Sequence, residues 1–243
     1  MTFCAGLKVK DGLIGIADTR VTTRTEQIVA RKLNTYQNLG YEMFIMTSGL
    51  RSIRDKTLTY FDELIENEEE KFDKLYEAVN SYAAQLRLVA KEDKKALNES
   101  GLQFNLHTII GGRLEKDKEH KLFLLYPQGN WVEVGKGTPY FLIGESSFGK
   151  PILDRVLRYE STMKTALKAG FLAFDATRAS AVDADFPIDI VVYKNDCNIL
   201  YEYRFSRNDL IELSTWWQQY LSQAIEELPA ECFENIFKNF PKE

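Results

Sequence analysis

The sequence predicts an α+β chain folded as a four-layer αββα sandwich, in which two mostly antiparallel sheets stack face to face and helices cover their outer faces. Three observations carry this expectation. Along the 243 residues the patterns run strands, two helices, strands, two helices, two strands, helix. Connections inside each strand block have hairpin length, which joins neighbouring strands antiparallel, and the helix pairs between blocks need sheet faces on which to bury their apolar stripes. No linker-like stretch or internal repeat interrupts the order, so residues 1–243 read as one domain.

The first fifty residues alternate strand-like runs with turns: Phe3 to Lys10, Leu13 to Ala17, Ile28 to Tyr36 and Tyr41 to Thr47, with Asp11-Gly12 as a hairpin signal between the first two. From Arg51 the period becomes helical, with Ile53, Leu58, Phe61, Leu64 and Ile65 on one face. A second helix is expected from Phe72 to Lys95 on the stripe Leu75, Val79, Tyr82, Ala83, Leu86 and Val89. The acidic run Glu66 to Glu70 between them reads as a solvated helix end, since it lacks the alternating ligands and glycine of a calcium loop. Strands resume at Leu106 to Gly112, Leu122 to Tyr126, Trp131 to Val134 and Tyr140 to Ile143. Helices follow over Phe148 to Glu160 and Thr162 to Thr177, then strands at Ile188 to Tyr193 and Ile199 to Phe205. Ser206 or Asn208 caps a last helix carrying Leu210, Leu213, Trp217 and Leu221, and one of the pair Trp216-Trp217 is expected to face a neighbouring subunit.

Composition narrows the function. With 31 Lys and Arg against 36 Asp and Glu the net charge is -5, so the field that gathers phosphate backbones is absent and no nucleic-acid partner is expected. There is no basic segment followed by an apolar one at the start and no apolar run near the roughly 18 residues of a membrane span, so a cytoplasmic protein without a membrane partner is expected. Cys4, Cys197 and Cys232 are widely spaced and odd in number, which suits core or surface thiols. His107 and His120 stand apart from each other and from any cysteine pair, so no metal is expected; His107 reads as a strand residue. Asn98-Glu99-Ser100 has the spacing of a glycosylation sequon, but no secretory signal accompanies it.

The chemically informative residues lie near the start of the chain: Thr2, then Ala17-Asp18-Thr19-Arg20-Val21-Thr22, then Lys32. Taken singly, Asp18 suits a turn carboxylate paired with Arg20, and Lys32 a solvated strand lysine. Together they suggest more. A small second residue generally permits removal of the initiator Met, which would leave Thr2 with a free α-amine. That amine has an unperturbed pKa of about 7.7 to 8.0, so nucleophile and base would share one residue. A nearby Lys32 ammonium would favour the neutral amine and stabilise an alkoxide, and Asp18 would hold that lysine charged and aimed.

On these residues the sequence resembles the proteasomal β-subunit branch of the N-terminal nucleophile hydrolases, and most of all the bacterial ancestral β-subunit type, Anbu. Thr2 matches the family nucleophile, Cys4-Ala5-Gly6-Leu7-Lys8-Val9 the strand after it, and Lys10-Asp11-Gly12-Leu13 the hairpin. Ala17 to Thr22 is similar to the family's Ala-Asp-Ser-Arg-x-Thr segment, which implies the conventional aspartate at Asp18 and a substrate-binding edge residue at Thr22. Arg31-Lys32-Leu33 resembles the segment with the family's lysine, and Thr47-Ser48-Gly49 the turn whose glycine N–H is the oxyanion donor, implying that role for Gly49.

Two segments depart from the proteasomal pattern. In Gly144-Glu145-Ser146-Ser147 a glutamate stands where proteasomal subunits carry the serine of Gly-Ser-Gly, leaving Ser146 as a displaced substitute. In Arg178 to Asp183 the expected aspartate and serine occur in reverse order, as Ser180 and Asp183, without a glycine pair. These three residues read equally as helix caps or as active-site support.

The resemblance implies a threonine-type amidohydrolase, a peptidase working through an acyl-enzyme, without metal or organic cofactor, and a ring or helical assembly of copies of itself acting on a peptide or small amide. Two alternatives stay open: a noncatalytic assembly subunit, and a small-amide hydrolase using the same site.

Overall fold

The computed structural model describes residues 2–22, 27–67, 71–197, 199–231, 233 and 236. Met1, Cys232 and the last three residues of the Glu66 to Glu70 run lie outside them. The chain divides into two compact units, Met1–Ser206 and Arg207–Glu243.

The first unit contains two five-stranded antiparallel sheets and a two-stranded ribbon. In the first sheet the order is β10 (Tyr140–Gly144), β1 (Phe3–Val9), β2 (Gly12–Asp18), β11 (Ile188–Lys194) and β12 (Ile199–Phe205). In the second it is β5 (Leu33–Thr35), β6 (Met43–Gly49), β7 (Leu106–Gly112), β8 (Lys121–Leu125) and β9 (Trp131–Glu133). The ribbon pairs β3 (Arg20–Thr22) with β4 (Gln27–Val29).

Strand alternation explains why every residue of β1 and β2 is buried. Cys4, Leu13 and Ala17 point between the sheets, where they meet Phe44, Met46, Ile109 and Leu122. Leu7 and Ile16 point the other way and close over Gly170 of α4 (Met163–Ser180). On the far side α1 (Arg51–Glu66) and α2 (Leu75–Glu99) cover the second sheet, burying Ile53, Phe61, Val79 and Leu86 against Met43, Ile45 and Ile110. With α3 (Lys150–Val156) beside α4, the expected α+β sandwich of four layers is complete.

Boundaries moved for identifiable reasons. The single strand expected over Ile28 to Tyr36 is two strands, because β4 pairs with the ribbon while β5 joins the edge of the second sheet; Lys32 sits where the chain changes partner. The helix expected from Phe148 is shorter, starting at Lys150 with Pro151 in its first turn, where the missing N–H costs nothing, and ending at Leu157 in extended conformation. The second long helix begins at Leu75, where the Glu77 carboxylate accepts from the N–H groups of Asp73 and Lys74, and Asp117 accepts from that of Leu75. His107 lies in β7, and His120 is buried just before β8 with Nε2 2.7 Å from the Val9 carbonyl oxygen. Cys4 is buried and Cys197 exposed.

The second unit contains α5 (Arg207–Glu226), which starts directly after Ser206. Trp216 is 59% exposed and Trp217 half-buried, and the Trp216 ring stacks on Tyr220 at 5.3 Å. No helix among the described residues is long and apolar enough to cross a membrane.

Close approach of the two sheets depends on small residues. A Cβ on Gly15 would lie 2.7 Å from Val191 Cγ1 and 3.1 Å from Phe44 and Met46 of the facing sheet. Gly15→Val should therefore destabilise the fold by about 1–3 kcal/mol through overpacking. Gly137→Ala, where a Cβ meets open space, should stay within about 0.5 kcal/mol. Urea denaturation of the two variants measures this, and equal midpoints would contradict the packing.

Candidate active site

The leading end of β1 is fixed from two sides. Phe3 pairs with Gly144 of β10, and the Thr2 carbonyl accepts from the Glu145 N–H at 2.7 Å. From the other side the Phe3 N–H donates to Asp18 Oδ1 at 2.8 Å. Asp18 ends β2, and its carboxylate is fully buried. It also accepts from Lys32 Nζ at 2.7 and 2.8 Å, while the same ammonium donates to the Arg20 carbonyl at 2.6 Å. The Lys32 side chain is only 4% exposed. Burial raises the Asp18 pKa; the Lys32 charge and the Phe3 N–H pull it back down. Three acceptors around one ammonium, with the carboxylate engaged by two donors, make a neutralised, hydrogen-bonded pair at that depth. The Arg20 guanidinium is turned to another acid, donating to Asp185 at 3.1 Å.

Thr2, Lys32 and Gly49 line a single cleft of about 380 Å³, together with Arg20, Thr47, Ser48, Arg51, Arg54, Asn105 and Gly144. Asp18 stands behind its wall, bonded to Lys32. Gly49 closes β6 opposite Leu106, at φ +145, and a Cβ there would lie 2.0 Å from the Asn105 carbonyl oxygen, so the position requires glycine. Gly144 is constrained similarly: at φ +86, a Cβ would meet the Thr2 carbonyl oxygen at 1.8 Å.

Ser146, Ser180 and Asp183 are not among the residues that line this cleft. Ser146 lines a separate depression beside Tyr140 and Lys150, and its carbonyl accepts from the Lys150 N–H as α3 begins. Ser180 is the exposed last residue of α4, and Asp183 follows it in a half-buried turn; neither lines the cleft. Thr22 ends β3, with its backbone opposite Gln27. The Glu145 carboxylate accepts from the Ser147 N–H at 2.9 Å, which holds its pKa below the ordinary range. Cys4 is no rival nucleophile: burial and the Asp18 charge push its thiol pKa up, and Sγ donates to the Thr47 carbonyl at 3.7 Å.

Sequence reasoning gave Arg51, Arg54 and Asn105 no place at this cleft. Arg51 and Arg54 follow Gly49 with i, i+3 spacing on the first turn of α1, a signal that puts both on one helix face. Asn105 arrives only through the register of β6 on β7, which no local pattern announces.

A sandwich of two antiparallel sheets, with the start of its first strand held at a buried lysine–aspartate pair, defines the proteasome-type N-terminal nucleophile hydrolase fold. The family model for the proteasome subunit matches residues 2–193, and the chain belongs to that family. Among solved structures it is similar to Anbu (ancestral beta-subunit) from Yersinia bercovieri, 26% identical over 93% of this chain and 97% of that one, with a TM-score of 0.85. An Anbu (Gly-1) mutant from Hyphomicrobium sp. strain MC1 is 29% identical over 94% of this chain and 98% of that one, with a TM-score of 0.85. The helical assembly of the Anbu complex from Pseudomonas aeruginosa is 26% identical over 93% and 97%, with a TM-score of 0.87. Comparison with curated proteins gives no match.

Removing one member of a buried pair strands the other, at a cost of about 3–5 kcal/mol. Asp18→Asn and Lys32→Met should each destabilise by that order, and the double variant by clearly less than their sum. Chemical denaturation of the four proteins checks this; additive losses would mean that the two side chains do not act as a pair.

Proposed function

We propose that the chain is a threonine-type amidohydrolase acting on peptides, with Thr2, freed at its α-amine by loss of Met1, as the nucleophile. The observation that carries this reading is the sharing of one cleft by Thr2, Lys32 and Gly49, with Asp18 bonded both to Lys32 and to the residue after Thr2. Thr2 Oγ attacks the scissile carbonyl carbon while its proton passes to the α-amine. The Lys32 ammonium disfavours a second cation beside it and so keeps that amine neutral. Charge builds on the carbonyl oxygen, and the Gly49 N–H receives it; such donors are commonly worth about 2.7 to 4 kcal/mol. As the tetrahedral intermediate collapses, the C–N bond breaks and the leaving amine takes the proton, leaving an ester on Thr2. Water, deprotonated by the same amine, then adds to the ester, and the acid departs as Oγ regains its proton. Every proton is carried by the chain terminus, so no metal or organic cofactor is required.

Residues 1–243 are read as one hydrolase domain that works in the cytoplasm as a homo-oligomer, with the aromatic stripe of α5 as a contact surface between copies. The exposure of Trp216 and Tyr220 and the helical assembly formed by the Pseudomonas relative support the association of copies. They equally favour a second reading, a noncatalytic assembly subunit that keeps the fold. A small-amide hydrolase would use the same residues with a shorter substrate.

Intact mass combined with an electrophilic peptide probe separates catalysis from assembly. A chain lacking Met1 should acquire one adduct at Thr2, absent in Thr2→Ala and slowed about 10²–10⁴-fold in Lys32→Ala. Retained Met1 with no adduct in material purified from cells would instead support the assembly reading.

A further inference from the structure

The wall of the cleft carries a charge pattern that the proposed reaction does not use. Among the described residues Arg20, Lys32, Arg51 and Arg54 line it and no aspartate or glutamate does, although the chain as a whole has a net charge of -5. Lys32 is matched by Asp18 and Arg20 by Asp185. Arg51 and Arg54, however, share one carboxylate, that of Asp55. The first turn of α1 therefore brings two guanidinium groups to the cleft, with a single carboxylate, that of Asp55 outside its lining, between them.

The two arginines differ. Arg54 is 11% exposed and committed: Nε and Nη2 meet Asp55 at 2.8 and 2.6 Å, and Nη1 donates to the Arg31 carbonyl at 3.2 Å. It ties α1 to the residue before Lys32. Arg51 is 54% exposed and meets Asp55 through Nε alone, at 3.2 Å; among the described residues its two Nη groups make no hydrogen bond. A guanidinium used on one edge keeps a second edge for a planar, two-oxygen partner, and a carboxylate fits that fork.

We propose that this cleft selects ligands carrying a carboxylate close to the amide it opens, with Arg51 as the specificity-determining residue. The proposal deepens the hydrolase reading and rests on it for the reaction, but the charge selection is a property of binding and can be measured without turnover. Arg20 and Lys32 are each paired with a carboxylate, Asp185 and Asp18, so the uncompensated positive charge of the lining lies on the first turn of α1. A basic ligand would meet two guanidinium groups that share one carboxylate, which sets the selection against cations as well as in favour of anions. The carboxylate could belong to an acidic side chain or to a peptide C-terminus, and both present the same two oxygens.

The test uses the full chain with Thr2→Ala, so that ligands are not consumed, and three peptides: acetyl-Ala-Ala-Glu amide, its neutral isostere acetyl-Ala-Ala-Gln amide, and acetyl-Ala-Ala-Gln with a free C-terminus. Equilibrium binding is followed by NMR titration at low salt. At least one carboxylate peptide should bind about tenfold or more tightly than the neutral one, and which of them does so identifies the source of the charge. The preference should shrink in 0.5 M salt and fall below about twofold in Arg51→Gln, a change at an exposed position whose fold can be verified in the same spectra. Equal binding of all three peptides, or a preference undiminished in Arg51→Gln, would overturn the proposal. Failure of the hydrolase reading has a separate signature: a carboxylate preference that persists while the Met1-free chain takes no probe at Thr2.

Discussion

The buried pair of Asp18 and Lys32 is the constraint on which the rest of the site depends. It joins three segments that are distant in sequence: the start of β1 through the Phe3 N–H, the end of β2 through Asp18 itself, and the turn between the ribbon and the second sheet through Lys32 and the Arg20 carbonyl. A charged pair at this depth gains little net stability over apolar residues of the same volume, because desolvation of both ions opposes their attraction. What it provides is position. The strand start can lie in only one place if the Phe3 N–H, the carboxylate and the ammonium are all to be satisfied, and Thr2 is the next residue out.

The sheets make that position reachable. A Cβ on Gly6 would lie 2.9 Å from Ile109, and one on Gly15 3.1 Å from Met46 and Phe44, all in the facing sheet, and this lets β1 and β2 approach β6, β7 and β8. One consequence is that Gly49, the last residue of β6, and Thr2, the residue before β1, share a cleft although the two strands belong to different sheets. In the proposed reaction the oxyanion donor therefore comes from one sheet and the nucleophile from the other, so catalysis would be sensitive to inter-sheet packing far from the reacting atoms.

Much of this was legible in the sequence where a local pattern and its tertiary role agree. β1, β2, β7 and β12 follow from apolar runs bounded by turn residues, and α1 and α2 from stripes at Ile53, Phe61, Val79 and Leu86. The segment around Lys32 was not, because a run with uniform strand character changes partner in its middle, and only pairing shows that. The same holds for the site. Asp18 and Lys32 could be joined on paper because both fall in motifs, whereas Arg51, Arg54 and Asn105 reach the cleft through the register of β6 on β7 and the direction in which α1 leaves Gly49. Ser146 shows the converse: close in sequence to Gly144, which touches Thr2, it faces a different depression because Gly144 takes a positive φ and the chain turns there.

The central claim is that the Thr2 amine, once free, is the base of this site because a matched lysine keeps it neutral. Titrating that amine by nitrogen-15 NMR in Met1-free protein tests it most directly. Its pKa should lie below the ordinary range of about 7.7 to 8.0 and rise when Lys32 is replaced by Met. An amine that titrates at or above that range and is indifferent to Lys32 would contradict the account.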